Sequence, residues 1–153
     1  MLRDGLDEAR EARDGDEPEA GTILVAPGEN HLEFATEGHR VVVRLAPRTD
    51  TDKYAPAVDR MFESAAKYFG SDLLAVVLTG MGDDGRKGLQ AVKDHGGCVI
   101  AESEETAVIF GMPQRAIRTG LVDAVLPLSE IAPAIQSGMG DSESTAIHRR
   151  GSA

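Results

Sequence analysis

The stretch Thr79-Gly80-Met81-Gly82-Asp83-Asp84-Gly85 holds the residues best suited to chemistry. It is a glycine-rich loop with two adjacent carboxylates, placed directly after an unbroken apolar run at residues 73–78. Glycines let a backbone approach a ligand or another loop closely. Neighbouring side chains in a tight loop point in different directions, so Asp83 and Asp84 need not share a role. On one reading, an aspartate simply caps the helix that follows. A second reading is a carboxylate that orients a histidine for nucleophilic catalysis. A third is a Mg²⁺ ligand pair, because hard cations prefer carboxylate oxygens. The loop alone does not separate these. No Gly-Lys-Ser/Thr follows it, so it is not a Walker phosphate loop.

The elements around the loop decide where it sits. An apolar run of this length reads as a strand buried on both faces, and such strands belong to parallel sheets covered by helices. Upstream, a strand is expected at 22–26, closed by Pro27-Gly28. Runs at 31–35 and 40–45 flank Glu37-Gly38 and predict a β-hairpin. Val58, Met61, Phe62, Ala65 and Phe69 then form one apolar stripe, which predicts a helix ending at Gly70, with Pro56 in its first turn. After the loop come a short helix through Leu89, Ala91 and Val92, a strand at 98–101, and helical pieces on either side of Gly111-Met112-Pro113. A last strand is expected at 124–126 and a last helix at 129–135, with Ser129 as N-cap. Strands alternating with helices predict an α/β domain, doubly wound, with a mainly parallel sheet and a β-hairpin. In open sheets of this kind, sites form beyond the carboxyl ends of the strands, where residues 79–85 lie.

The chain has 153 residues, room for one compact domain. Residues 1–20 carry eight acids against three bases and read as an acidic segment, frayed or partly helical. The domain proper is expected over 21–136, followed by a disordered Gly/Ser-rich tail at 137–153. A net charge of −10 argues against nucleic-acid binding through phosphate neutralisation. No apolar run approaches the roughly 20 residues needed to cross a bilayer, so membrane insertion is not expected. The acidic start lacks a secretory signal pattern. Cys98 is the single cysteine, more suited to a small core position than to a nucleophile, and there is no Cys/His cluster for zinc. These features fit a reducing cytoplasm, with no metal and no cofactor expected.

Four motifs in order carry a resemblance. They are Val25-Ala26-Pro27-Gly28 with His31, Pro56-Ala57-Val58-Asp59 with Phe62, Leu78 through Gly85, and Phe110-Gly111-Met112-Pro113 with Ala116-Ile117. Together they resemble the catalytic domain of the chemotaxis protein-glutamate methylesterases (CheB-type), from about residue 11 to residue 135. Ala57 stands where the family usually has Ser, and Asp83 where it commonly has Asn. The resemblance implies an α/β fold and hydrolysis of glutamyl methyl esters, with glutamine deamidation, on chemoreceptors through a Ser-His-Asp triad. It implies Asp84 as the triad acid and Met81 as the backbone donor to the oxyanion. Thr79, Gly80, Gly82, Asp83 and Gly85 complete the site loop.

The family's nucleophilic serine, in a Gly-Ala-Ser-x-Gly-Gly turn, and its His-x-Pro histidine both precede the matched portion. The sequence therefore resembles an incomplete methylesterase domain, its C-terminal part, and no esterase activity is expected of it by itself. None of His31, His39, His95 and His148, nor Ser64, Ser71 and Ser103, sits in a nucleophile elbow. His31 belongs to the turn signature and reads as structural or near the site rim. The implied partners are a methylated chemoreceptor and a receiver domain or complementing N-terminal fragment. The alternative is a non-catalytic binding or regulatory module on the same scaffold.

Overall fold

The computed structural model describes residues 8–138. Three small sheets and four helices follow one another along the chain. Strand β1 (Glu8–Glu11) pairs in parallel with β2 (Thr22–Val25), Glu8 opposite Thr22. Strands β3 (Asn30–Glu37) and β4 (Arg40–Pro47) form the expected hairpin, in register from Asn30 opposite Pro47 to Glu37 opposite Arg40. Helix α1 (Val58–Phe69) and a 3₁₀ turn (Gly70–Asp72) lead into β5 (Leu74–Val77). Then come α2 (Arg86–Asp94), β6 (Cys98–Glu102), α3 (Gly111–Arg118), β7 (Ala124–Leu126) and α4 (Leu128–Gln136). Strands β5, β6 and β7 lie side by side in that order, all parallel.

The three-stranded sheet is covered on both faces, as its apolar strands require. Ala75, Val77 and Val99 face α1, α2 and α3, packing with Phe62, Ala66, Leu89, Val92 and Ala116. Ile100 faces the other way and packs with Ala124 and with Ile131 of α4. The α1 stripe behaves as its spacing predicts, with Phe62 and Ala65 buried and Val58 and Met61 packed against the core. Met61 also reaches a second cluster of Ala12, Leu32 and Val43, which ties the hairpin to the helix layer. Among the described residues, β5 has a paired neighbour on one side only.

Four local expectations differ from the structure. The acidic start is neither frayed nor helical over Glu8–Glu11, where it is a strand. Residues 12–16 are pinned behind it: Ala12 donates to Val25 O at 2.8 Å, and Asp14 Oδ1 accepts the Leu45 N–H at 2.8 Å. Residues 1–7 and 139–153, including most of the expected tail, lie outside the described residues. Helix α1 starts two residues after Pro56 rather than around it. Gly111-Met112-Pro113 does not break a helix but begins one, because a proline in the first turn has no N–H that the helix needs. Ser129 lies inside α4, whose N-cap position is Pro127.

Candidate functional site

Residues 79–85 leave the carboxyl end of β5 and return into α2. Their path is fixed by two neighbours. Thr79 donates its N–H to Glu102 Oε2 at 2.8 Å, and its hydroxyl accepts the Ile109 N–H at 2.8 Å. Gly80 donates to Ile109 O at 2.9 Å and accepts from the Met112 N–H at 2.8 Å. Glu102 is 1% exposed and also accepts from the Thr106 hydroxyl at 2.9 Å. Sequence reasoning did not single out this carboxylate, and only its place at the end of a buried strand marks it.

The glycines let Met112 and Tyr54 pack close against the loop. A Cβ on Gly80 would lie 2.5 Å from Met112 Sδ, and one on Gly82 would lie 2.5 Å from the Tyr54 hydroxyl. Gly82 also has φ +106°, which L side chains rarely adopt. The chain therefore carries Met81 outward between two glycines. Its side chain is 79% exposed, and its N–H makes no hydrogen bond with the described residues. A free main-chain N–H on a braced loop is the kind of donor that can stabilise a developing oxyanion.

The two aspartates do different work. Asp83 accepts from Lys53 Nζ at 2.7 Å and from the Tyr54 hydroxyl at 3.1 Å. The Lys53 ammonium, and then Tyr54, hold its carboxyl below the usual range. Asp84 is 9% exposed and turns to the start of α1. Its Oδ2 accepts the Val58 N–H at 2.7 Å, and its Oδ1 accepts those of Asp59 at 3.0 Å and Gly85 at 2.9 Å. Asp59 in turn accepts the Gly88 N–H of α2 at 2.7 Å. Each helix start is thus capped by an aspartate from the other, satisfying donors that a helix leaves orphaned. This differs from a local cap, since Gly85 precedes α2 with no side-chain cap of its own. A carboxylate has about four acceptor sites, and Asp84 uses three, leaving one on Oδ2. With their oxygens turned to separate partners, Asp83 and Asp84 do not present a shared ligand pair.

The other candidates lie apart from this acid. His31 is fully buried. Its Nδ1 accepts the Ala57 N–H at 3.2 Å, so the proton of the neutral ring sits on Nε2. Nε2 lies 3.1 Å from Asp52 Oδ2 but off the hydrogen-bond direction. His31 therefore braces the start of α1 and has no access to a substrate. His39 is exposed in the hairpin turn, and His95 Nδ1 lies 2.8 Å from Ala91 O at the end of α2. Ser64 is occupied, accepting from Phe34 N–H and donating to Met61 O. Ser71 is exposed, and the Ser103 hydroxyl is buried without a partner. His148 lies outside the described residues. No hydrogen bond among the described residues joins a serine to a histidine.

Against known proteins, the family model described as CheB methylesterase matches residues 6–135. The chain belongs to the CheB methylesterase family. The chain is 52% identical over 125 residues to a protein-glutamate methylesterase/protein-glutamine glutaminase of Myxococcus xanthus, covering 82% of this chain and 36% of that protein. It is 48% identical to a protein of the same description from Pseudomonas aeruginosa, again covering 82% and 36%. The crystal structure of the Thermotoga maritima CheB methylesterase catalytic domain superposes with a TM-score of 0.80 at 41% identity, over 84% of this chain and 68% of that one. The chain therefore spans about a third of the length of these relatives and 68% of the Thermotoga maritima catalytic-domain chain. No helix among the described residues is long and apolar enough to cross a membrane.

Proposed function

We propose that this chain supplies the acid and the oxyanion loop of a protein-glutamate methylesterase site. The reaction is hydrolysis of glutamyl methyl esters, with deamidation of glutamines, on methylated chemoreceptors. The observation that carries the reading is Asp84: a nearly buried carboxylate in the loop between β5 and α2, held by three N–H groups with one acceptor site left. In this reading that site accepts the N–H of a histidine whose other nitrogen takes the proton of a serine hydroxyl. The aspartate fixes the tautomer and stabilises the imidazolium as the hydroxyl attacks the ester carbonyl. The Met81 N–H stabilises the tetrahedral oxyanion, methanol leaves, and water resolves the acyl-enzyme by the same steps in reverse roles.

In this reading the serine and histidine lie outside the described residues, none of which is arranged for the task. A protein segment bearing them is accordingly the expected partner, beside the receptor. The test is methanol release from methylated receptor. The chain alone is expected to give none, and addition of a family fragment carrying the Gly-Ala-Ser turn and the histidine segment is expected to restore it. No turnover from the mixture at concentrations where the two pieces associate contradicts the reading. Receptor binding without turnover in the same mixture favours a regulatory module instead.

A further inference from the structure

Glu102 ends β6 as a fully enclosed carboxylate, and the reaction proposed above gives it no role. No cation pairs with it among the described residues. Its Oε2 serves the Thr79 N–H at 2.8 Å and its Oε1 the Thr106 hydroxyl at 2.9 Å. Burying a carboxylate without a cation is costly, and an amide accepts the same N–H at lower cost. Departures of this kind concentrate where function requires them.

The bond to Thr79 lies two residues before Met81, whose N–H is left free. It ties the loop to β6, the middle strand of its sheet, which packs through Val99 on one face and Ile100 on the other. The other ties nearby are less firmly founded. Thr79 and Gly80 also bond Ile109, but that residue is half exposed and follows Val108, which is 89% exposed. The second oxygen of Glu102 is anchored in turn, because the Thr106 hydroxyl accepts the Leu128 N–H at the start of α4 at 2.9 Å. The loop also lies close against α3, where a Cβ on Gly111 would be 3.0 Å from Gly80 O and 3.6 Å from Met81 Cα.

We propose that Glu102 is a positioning residue for the reaction. By holding the Thr79 N–H from the central strand, it keeps the Met81 N–H aimed at the oxyanion. It touches neither substrate nor reacting atoms and acts through the loop alone. The proposal rests on the esterase reading and adds a residue to it.

The experiment reads methanol release from methylated receptor in the complemented mixture, and amide hydrogen exchange in the 153-residue chain alone. Glu102→Leu removes the acceptor of the Thr79 N–H. It is expected to lower kcat about 10- to 100-fold with KM within about threefold, because an oxyanion donor acts in the transition state. Exchange at Gly80 and Met112, whose own hydrogen bonds the substitution leaves in place, is expected to quicken about tenfold. Val43, held by Asp16 O in the hairpin, is expected to keep its parent rate. Glu102→Asp keeps the charge but shortens the reach by one methylene; it is expected to fold and to lower kcat about tenfold, so it carries the test if the leucine variant does not fold. Glu102→Gln accepts the Thr79 N–H through its carbonyl and donates to the Thr106 oxygen, and is expected to recover kcat to within about fivefold of the parent. Asp123→Ala strands the Val99 N–H at the opposite end of the same strand; it is expected to lower stability while kcat stays within about threefold.

Parent kcat in Glu102→Asp, a loss in Glu102→Gln as large as in Glu102→Asp, or a rise in KM that accounts for the whole effect overturns the proposal. An equal fall in Asp123→Ala overturns it too, as does unchanged exchange at Gly80 and Met112. A parent mixture without turnover contradicts the esterase reading, and exchange in the single chain then decides whether Glu102 braces the loop. Turnover by the parent together with parent-like kcat in the variants overturns the role of Glu102 alone.

Discussion

Asp84 and Asp59 exchange caps across two helix starts, so a change at either acts on both helices. Asp84→Ala strands three N–H groups and is expected to cost about 1–3 kcal/mol, read as a lower urea midpoint with unchanged slope. A cost below a few tenths would contradict the capping account. Asp52 offers a pH test. Its carboxyl is held far below the ordinary range by the Thr49 N–H and then by the Thr49 hydroxyl. The folded value is depressed, so this contribution is fully present above the unfolded value of about 3.9 and is lost as pH falls towards the folded one. Asp52→Asn is therefore expected to flatten the loss of stability below about pH 4, measured by thermal melts across pH. An unchanged acid slope would contradict it. The residue scale was half legible in the sequence. The loop stands out by type and spacing, and the family resemblance singles out Asp84 within it, but the α1 partners of Asp84 lie 25 and 26 residues away and carry no local signal. Glu102 was invisible for the same reason, being tied to the loop only through a contact 23 residues off.

At the scale of elements, α1 and α2 cross where Gly88 meets Phe62. A Cβ on Gly88 would lie 2.6 Å from Phe62 Cβ and 3.1 Å from Asp59 O. Helix propensity alone favours alanine over glycine by about 1 kcal/mol, but overpacking of this kind costs about 1–3. Because the backbone of Asp59 cannot yield cheaply, Gly88→Ala is expected to lower stability in denaturant titration, and a gain would show that the crossing is looser than described. Phe62→Ala is expected to cost about 3–5 kcal/mol, since the ring is buried in the main core. The stripe that places Phe62 was readable because one helical period sorts buried from exposed. Strand β1 was not: Glu-Ala-Arg-Glu has no strand propensity, and only its pairing with Thr22–Val25 and the burial of Ala12 behind it impose the extended form. The start of α3 was misread because a glycine and a proline look like a break until the chain on either side is seen.

At the scale of the whole molecule, parallel strands alternating with helices were legible from composition of the runs, and the family match confirms the domain type. The sheet order and the open side of β5 were not, because pairing between distant strands leaves no trace in either strand alone. That open side, with the exposed Leu78, Met81, Val108 and Ile109 near the site loop, leaves a surface that the proposed Ser/His segment would cover. The central claim is that Asp84 steers an imidazole supplied from that segment. It is tested most directly by comparing kcat for methanol release between the parent chain and Asp84→Asn, each saturated with the complementing segment and each shown by circular dichroism to be folded. The account predicts a fall of about 10⁴-fold in kcat for the asparagine variant. A variant that folds, binds the segment and turns over at the parent rate would contradict it.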